Sequence, residues 1–189
     1  MVTEEQLKEF VTVSHFNLDR VKELYTQYPD MLNLPYAWQP DDHETAIMAA
    51  AHMGNRPIAE FLLEQGAPLA IYTAAMLNRE DEVRRILTDD PSQATEKGGH
   101  GIPLMSHVAL GGNTSIANLV RQHGNVDDLS FPLHAAVSMG HSKMVTWLVN
   151  HGANDLAVKN FQDQTLLQVA EANNHGEIVT LLRGYGATE

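Results

Sequence analysis

The sequence predicts an all-α protein, built as a stack of about six helix-turn-helix units. Residues 131–155 contain apolar residues spaced as in two short helices, and the same frame recurs at five other places in the chain. The composition agrees, because 43% of the residues are hydrophobic but only 6% are aromatic, which suits small helices packed through Ala, Leu and Val. Two such helices cannot bury their apolar faces alone, so the units must stack on one another.

The clearest unit has the sequence FPLHAAVSMGHSKMVTWLVNHGAND. Pro132 occupies the first position of its first helix, where no backbone hydrogen bond is lost, and Gly140 ends that helix. The second helix carries three aliphatic residues on one face at i, i+3 and i+4. Gly152 then supplies the left-handed residue that stops the second helix.

This pattern of PLHAA, GH, an aliphatic triple and HGAND resembles an ankyrin repeat, in which about ten positions have fixed residue types. The strings HGIPL and AAAHMG also resemble those of small bacterial ankyrin-repeat proteins of unassigned role. The resemblance implies a solenoid that works as a recognition scaffold, although a fold alone does not identify a partner.

The other units follow the same frame, and unit one opens with a capping-box pattern at Thr3 and Gln6. Polar residues in the first and last units fit solvent-facing caps. No linker or low-complexity segment interrupts the units, so we predict a single domain over residues 1–189. The predicted units lie near residues 4–34, 45–67, 69–90, 102–125, 131–155 and 165–187.

The connections between units are uneven. Long segments, LPYAWQPDDHE and PSQATEKGGHG, precede units two and four, and we expect irregular loops there. Unit three begins so soon after unit two that the usual projecting β-turn finger has no room. In unit four, His107 sits where a small residue normally packs, and the pair Gly111 and Gly112 adds one residue, which leaves the register open by one position.

The charge limits the classes of partner. The formal net charge of −12 opposes binding to nucleic acid or anionic membranes and favours cationic or neutral partners. There is no cysteine, which excludes disulfides and thiolate chemistry. The N-terminal segment lacks an apolar secretory core, and no apolar run approaches the length of a membrane span, so we expect a cytoplasmic protein.

Half of the ten histidines fit the repeat pattern. In the family, the positions of His134, His141 and His175 usually hydrogen-bond loop backbone, and His123 and His151 lie at helix C-termini, where partial positive charge is favourable. The repeat leaves five histidines unexplained: His15, His43, His52, His100 and His107.

The resemblance implies that, in each unit, the two residues that follow a pair of small residues in the first helix line a concave groove that binds the partner. His15 and His52 occupy the first of these positions in successive units, and the second is mostly apolar. Methionine stripes at helical spacing are usually core, but here the family places the core elsewhere, so we favour an exposed apolar binding strip. The predicted groove comprises His15, Phe16, His52, Met53, Met76, Leu77, Leu110, Ser138 and Met139.

Acidic residues lie in the segments expected to form the rim of this groove. An apolar floor with an acidic rim suits a protein segment with apolar anchors and basic flanks, whereas polar fingers that are merely solvated are the simpler explanation. From the resemblance and the apolar groove together, we predict a non-catalytic interaction scaffold. The rim residues are Asp41, Asp42, Glu44, Asp127 and Asp128.

The alternative is a small-molecule or enzymatic pocket at units two to four, with a histidine as general acid or base. Convergence of Trp38, His52, His100 and His107 on an enclosed void would favour it, and their scatter would favour the scaffold. No nucleotide loop, triad or metal dyad appears, so no cofactor is assigned. Because of the alternative pocket, enzymatic activity stays open. Adjacent residues rarely bind one ion, so Asp41, Asp42 and His43 are assigned no metal. The other predicted pocket residues are Tyr36, His43, Tyr72 and Met105.

Overall fold

A computed structural model describes residues 2–124 and 128–188, and these residues contain twelve α-helices in six successive pairs. This arrangement confirms the predicted all-α stack. None of the described helices is long and apolar enough to cross a membrane. The helices are α1 Glu4–Val13, α2 Leu18–Gln27, α3 Ala46–His52, α4 Arg56–Glu64, α5 Ile71–Met76, α6 Glu80–Asp89, α7 Leu104–Gly111, α8 Thr114–His123, α9 Ser130–Ser138, α10 Ser142–Asn150, α11 Leu166–Ala172 and α12 Gly176–Gly184.

The first helices of the pairs form one row and the second helices form another. Helix α1 contacts α3, and the row continues through α5, α7 and α9 to α11. Several first helices are very short, with six residues in α5 and seven in α3 and α11. Helices of this length are unstable alone, so packing against the neighbouring units must stabilise them. The predicted capping box is present, with reciprocal hydrogen bonds between Thr3 and Gln6.

The buried residues form two hydrophobic clusters that meet at α5. One extends from Phe10 to Leu77 and the other from Ile71 to Ala187. The short connection before α5 places this helix deep between α3 and α7. The prediction that Met76 and Leu77 belong to an exposed strip is therefore wrong, since they are 0% and 4% exposed.

The segment before α3 forms a small antiparallel hairpin of β1, Tyr36–Gln39, and β2, Asp42–Glu44. The pairing is irregular between Ala37 and Gln39. Tyr36 pairs with Glu44, and side chains alternate between the two faces of the hairpin. The segment before α7 instead contains two 3₁₀ turns, at Pro91–Thr95 and Gly99–Gly101.

The five histidines that fit the repeat all bond to backbone, which the resemblance implied for His134, His141 and His175. The Nε2 atoms of His134, His141 and His175 lie 2.9, 3.0 and 3.1 Å from carbonyl oxygens of other segments of the stack. The Nδ1 atoms of His123 and His151 bond to carbonyl oxygens of their own helices. These residues stabilise the stack, and the unexplained histidines remain candidates for a functional site.

Candidate functional site

Three histidines and a glutamate from four separate segments meet near the N-terminal end of the stack. His15 follows α1, Glu44 ends β2, His52 ends α3, and His100 lies in the 3₁₀ turn before α7. The nitrogen and oxygen atoms that these residues could offer to an ion all lie within 4.8 Å of one another. We call these four residues the histidine–glutamate cluster.

Glu44 is the centre of this cluster and is completely buried. Its Oε1 lies 2.9 Å from His52 Nε2, and its Oε2 lies 3.5 Å from His15 Nε2 and 3.4 Å from His100 Nε2. Oε2 also accepts a hydrogen bond of 2.8 Å from the indole nitrogen of Trp38. Oε1 has no well-directed hydrogen bond among the described residues, despite the short distance to His52.

The hairpin and the repeat together explain why these side chains converge. Strand alternation puts Trp38, Asp42 and Glu44 on the covered face of the hairpin and His43 on the exposed face. His15 and His52 hold equivalent positions in adjacent units, so stacking α1 on α3 brings their Nε2 atoms to 3.1 Å. The rings of His52 and His100 pack edge to face at 5.2 Å.

Hydrogen bonds on the far side of two rings fix their orientation. His15 Nδ1 lies 3.0 Å from the carbonyl oxygens of Val11 and Thr12, and His100 Nδ1 lies 2.7 Å from Asp42 Oδ2. Carbonyl and carboxylate oxygens only accept hydrogen bonds, so each Nδ1 carries a proton. In the neutral rings, both Nε2 atoms therefore direct a lone pair toward Glu44.

The electrostatic surroundings keep Glu44 ionised. Burial alone would raise the pKa of its carboxyl group, but close contact with His52, together with Trp38 and His15, outweighs burial and lowers that pKa below its usual value. A buried carboxylate needs compensating charge or hydrogen bonds. Trp38 donates one hydrogen bond, and the three histidines beside the carboxylate can carry a compensating charge or share a cation with it.

Two backbone features hold the His100 side of the cluster in place. His100 has a φ of 56°, a left-handed conformation that non-glycine residues adopt rarely and that is found at functional sites. At Gly99, an added Cβ would lie only 2.6 Å from Glu44 Oε1. The loop can approach the buried carboxylate this closely because residue 99 lacks a side chain.

An apolar groove of about 470 Å³ opens beside the cluster along the row of first helices. His52 and His100 form one end of its lining, and Phe161, which is 87% exposed, lies at the other. The Phe131 and Phe161 rings pack edge to face at 5.3 Å. The groove is lined by His52, Met53, His100, Ile102, Ser106, Leu110, Phe131, His134, Ala135, Asn160 and Phe161.

Two polar atoms in the groove lining have no hydrogen-bond partner among the described residues. They are Ser106 Oγ and His134 Nδ1, and both side chains are buried. His134 Nε2 donates to the Val158 carbonyl, so its Nδ1 is left as an acceptor. Burial lowers the pKa of His134, despite that opposing hydrogen bond, and favours the neutral ring. Both atoms lie just beneath the groove surface, so a ligand could reach them only if the lining moved.

The predicted groove residues fall into several environments. Met53 and Leu110 line the observed groove, whereas Phe16 is 66% exposed outside its lining. Ser138 is exposed, and Met139 is half-buried because its side chain lies over Gly54. His15 and His52 belong to the histidine–glutamate cluster, and Met76 and Leu77 are core.

The predicted rim is also divided. Glu44 is buried at the centre of the cluster, which contradicts its predicted place on an exposed rim, and Asp42 pairs with His100. Asp41 and Asp128 are exposed, as a rim requires. Asp127 lies outside the described residues.

The alternative pocket at units two to four forms only in part. Trp38 and His100 ring centroids are 6.3 Å apart, and both residues meet His52 around Glu44. His107 is instead fully buried against Tyr72, with ring centroids 5.3 Å apart. Tyr36 packs on Trp38, whereas His43 is exposed and Met105 is buried in the core, so His43 and Met105 are not placed to line such a pocket.

Sequence reasoning missed most of the groove lining and did not assign Glu44 to the histidines. The missed lining residues belong to first helices and to the fingers before them. Considering the fingers of units four and six together with the apolar strip would have pointed to part of this lining. For Glu44, the alternation of Asp42, His43 and Glu44 was a usable signal. The missed lining residues are Ile102, Ser106, Phe131, His134, Ala135, Asn160 and Phe161.

Comparison with known protein families agrees with this architecture. A family model for ankyrin repeats in three copies matches residues 71–188, and a model for one ankyrin repeat matches residues 42–74. The chain therefore belongs to the ankyrin repeat family. No curated protein matches it significantly. Ankyrin repeats generally mediate protein–protein interaction, which is consistent with a recognition scaffold.

Proposed function

We propose that the protein is a non-catalytic interaction scaffold that binds a segment of a partner protein in the apolar groove. The observation that carries this proposal is an open groove with exposed apolar side chains at Met53 and Phe161, which are 47% and 87% exposed. Apolar surface of this kind is costly to leave in water and marks a binding site. The occupant is a peptide segment with an aromatic or aliphatic anchor.

Two polar atoms that the groove lining covers could add hydrogen bonds to that segment. His134 Nδ1 is an acceptor that needs an N–H donor, and Ser106 Oγ can donate or accept. Both atoms are covered in the free protein, so a backbone N–H or carbonyl group of the segment could bond to them only after the groove lining moved. Such hydrogen bonds would add to the affinity, whereas their absence would cost nothing new, because both atoms are already buried and unpaired before binding.

Charge defines the flanks of the segment. The formal net charge is −12, and Asp41 and Asp128 are exposed. Lys or Arg residues beside the anchor would be attracted during approach, while the apolar anchor supplies most of the affinity. We therefore propose a partner segment with an apolar anchor and basic flanks.

Selection from a random peptide library on the immobilised wild-type protein tests this function. We expect enriched peptides to share an aromatic or aliphatic residue with Lys or Arg nearby. Phe161→Ser and Met53→Ser should each weaken binding of a selected peptide about tenfold or more, because each removes apolar contact area. The matched control is Phe16→Ser, an exposed phenylalanine outside the groove lining, which should leave the affinity unchanged.

Two results would contradict the proposal. One is a library selection that enriches no peptide family. The other is a set of selected peptides that bind Phe161→Ser and Met53→Ser as well as wild type. Circular dichroism of each variant would confirm that the helical content is retained.

A small molecule is the second candidate occupant of the same groove. Its volume of about 470 Å³ lies within the range of small-ligand pockets, about 300–1,000 Å³, and its lining is mostly apolar with a few polar groups. Screening a fragment library by ligand-observed NMR distinguishes this candidate. Fragments that bind wild type and are lost in both Phe161→Ser and Met53→Ser, together with failure of the peptide selection, would favour it.

A further inference from the structure

We propose that His15, Glu44, His52 and His100 bind one divalent transition-metal ion of the zinc class. The site offers three imidazole Nε2 atoms and one carboxylate, drawn from four separate segments. This site is distinct from the binding of a partner segment in the groove, although His52 and His100 belong to both surfaces.

The separations between the four groups fit a tetrahedral shell. Zinc binds histidine nitrogen and carboxylate oxygen at about 2.0–2.2 Å, so the ligand atoms of a tetrahedron lie about 3.3 Å apart. In the cluster, the Nε2 atoms of His15 and His52 are 3.1 Å apart. His52 Nε2 lies 2.9 Å from Glu44 Oε1, whereas the Nε2 atoms of His100 and His15 lie 3.4 and 3.5 Å from Glu44 Oε2, so the carboxylate faces the three imidazoles through both of its oxygens. An ion could be accommodated with small movements of the side chains.

A proton on His52 Nε2 can serve either His15 Nε2 or Glu44 Oε1, but protons alone leave the His100 lone pair facing the carboxylate. Since His15 and His100 carry protons on Nδ1, their neutral rings direct Nε2 lone pairs at a carboxylate, and lone pairs repel. Protonating all three rings would place three positive charges around one buried carboxylate. It would also set two N–H groups against each other between His15 and His52, which are 3.1 Å apart. One divalent cation accepts all these lone pairs at once.

The hydrogen bonds behind the ligands are those that metal-binding histidines require. Such histidines usually donate their other ring N–H to a carboxylate or a backbone carbonyl, which fixes the ring and increases its basicity. His100 donates to Asp42 at 2.7 Å, and His15 donates to carbonyl oxygens at 3.0 Å. Trp38 holds Glu44 Oε2 from the other side at 2.8 Å.

The ligand types favour a particular class of ion. Imidazole nitrogen suits zinc and its transition-metal neighbours, whereas magnesium and calcium prefer sites made only of oxygen. A bound ion would join the unit-one helix, the hairpin, α3 and the loop before α7. Zinc should therefore stabilise the folded protein, because it binds the assembled site and not the unfolded chain.

Isothermal titration calorimetry of EDTA-dialysed wild-type protein with zinc chloride tests the site. We expect one zinc ion per chain, no binding of magnesium chloride, and a visible cobalt(II) spectrum typical of four-coordinate cobalt. His100→Gln should weaken zinc binding about 100-fold or more, and Asp42→Asn should weaken it about 10–100-fold. His100 is 35% exposed in its side chain, so the variant should fold.

The matched control is His151→Gln. His151 also bonds through Nδ1 to a helix carbonyl but directly follows α10, outside the cluster, so zinc affinity should be unchanged. Zinc should raise the Tm of wild type and of His151→Gln, but not of His100→Gln. A wild-type protein that binds no zinc would overturn the proposal, as would zinc binding that persists undiminished in both His100→Gln and His52→Gln.

Discussion

At the scale of single residues, the histidines of this protein differ according to their surroundings. His107 is fully buried, with Nδ1 bonded to the Pro103 carbonyl at 3.2 Å and Nε2 without a partner among the described residues. Burial is the main reason that its pKa falls to about 4. His100, by contrast, is accessible and paired with Asp42. Burial thus makes His107 a neutral core residue, whereas His100 is reached by solvent and contacts both Asp42 and Glu44.

His107 should make the protein sensitive to mild acid. Its pKa is about 4 in the folded protein and about 6.5 in the unfolded chain, so the unfolded chain binds more protons between these values. Stability is therefore fully present above pH 6.5 and falls as the pH drops toward 4, by about 3 kcal/mol. Urea unfolding at pH 7 and pH 5 should show a smaller loss for His107→Gln than for wild type. Equal losses would show that His107 titrates normally.

At the scale of elements, the ends of α3 and α5 show how one repeat position can be surface in one unit and core in the next. Met53 follows α3 and is 47% exposed, whereas Leu77 follows α5 and is 4% exposed. The two residues are equivalent in the repeat. Helices α3 and α7 contact each other directly across α5, so α5 is set back between them and its end is covered, whereas the end of α3 is not.

Replacing each of these residues by serine should give unequal losses of stability. Leu77→Ser removes a buried side chain and leaves a polar group in a cavity, which should cost more than about 2 kcal/mol of unfolding free energy. Met53→Ser removes accessible apolar surface and should change it by about 0.5 kcal/mol or less. Chemical denaturation measures both. Similar losses in the two variants would contradict the burial of Leu77.

The helical elements were predictable because their signals are local. Glycines, a proline and aliphatic triples fix each helix pair over about 25 residues, as in the unit at 131–155. The hairpin was not predicted, because β2 has only three residues and all three are polar, so no apolar residue marks its buried face. The cluster depends on contacts between distant loops, such as that between Asp42 and His100, and single-sequence patterns do not encode such pairs. Tertiary packing, rather than propensity, determined the burial of Leu77.

At the scale of the whole molecule, the excess of acidic residues should influence association more than folding. Long-range attraction between a net charge of −12 and basic peptide flanks raises the rate of encounter and is screened by salt. The exposed carboxylates nearest in sequence to the fingers, Asp41 and Asp128, are the ones to test. Asp42 and Glu44 are unsuitable, because they hold the histidine–glutamate cluster.

The variant Asp41→Asn/Asp128→Asn should bind a selected basic peptide more slowly at low salt, with little change in dissociation. The charge-matched control is Glu60→Gln/Glu64→Gln on the second-row helix α4, where both residues are exposed. Stopped-flow fluorescence with a labelled peptide gives both rates. An association rate that matches the control at low salt would show that these two aspartates do not attract the peptide during its approach.

The hydrogen bond between Trp38 and Glu44 also gives the protein an intrinsic optical probe. The chain has only two tryptophans. Trp38 bonds to Glu44, and Trp147 in α10 stacks on His151 with ring centroids 4.1 Å apart. One indole therefore touches the histidine–glutamate cluster, while the other lies in the distant C-terminal units. In Trp147→Phe, the fluorescence of Trp38 would report changes at the histidine–glutamate cluster without any attached dye. In Trp38→Phe, the fluorescence of Trp147 would report changes at the other end of the stack.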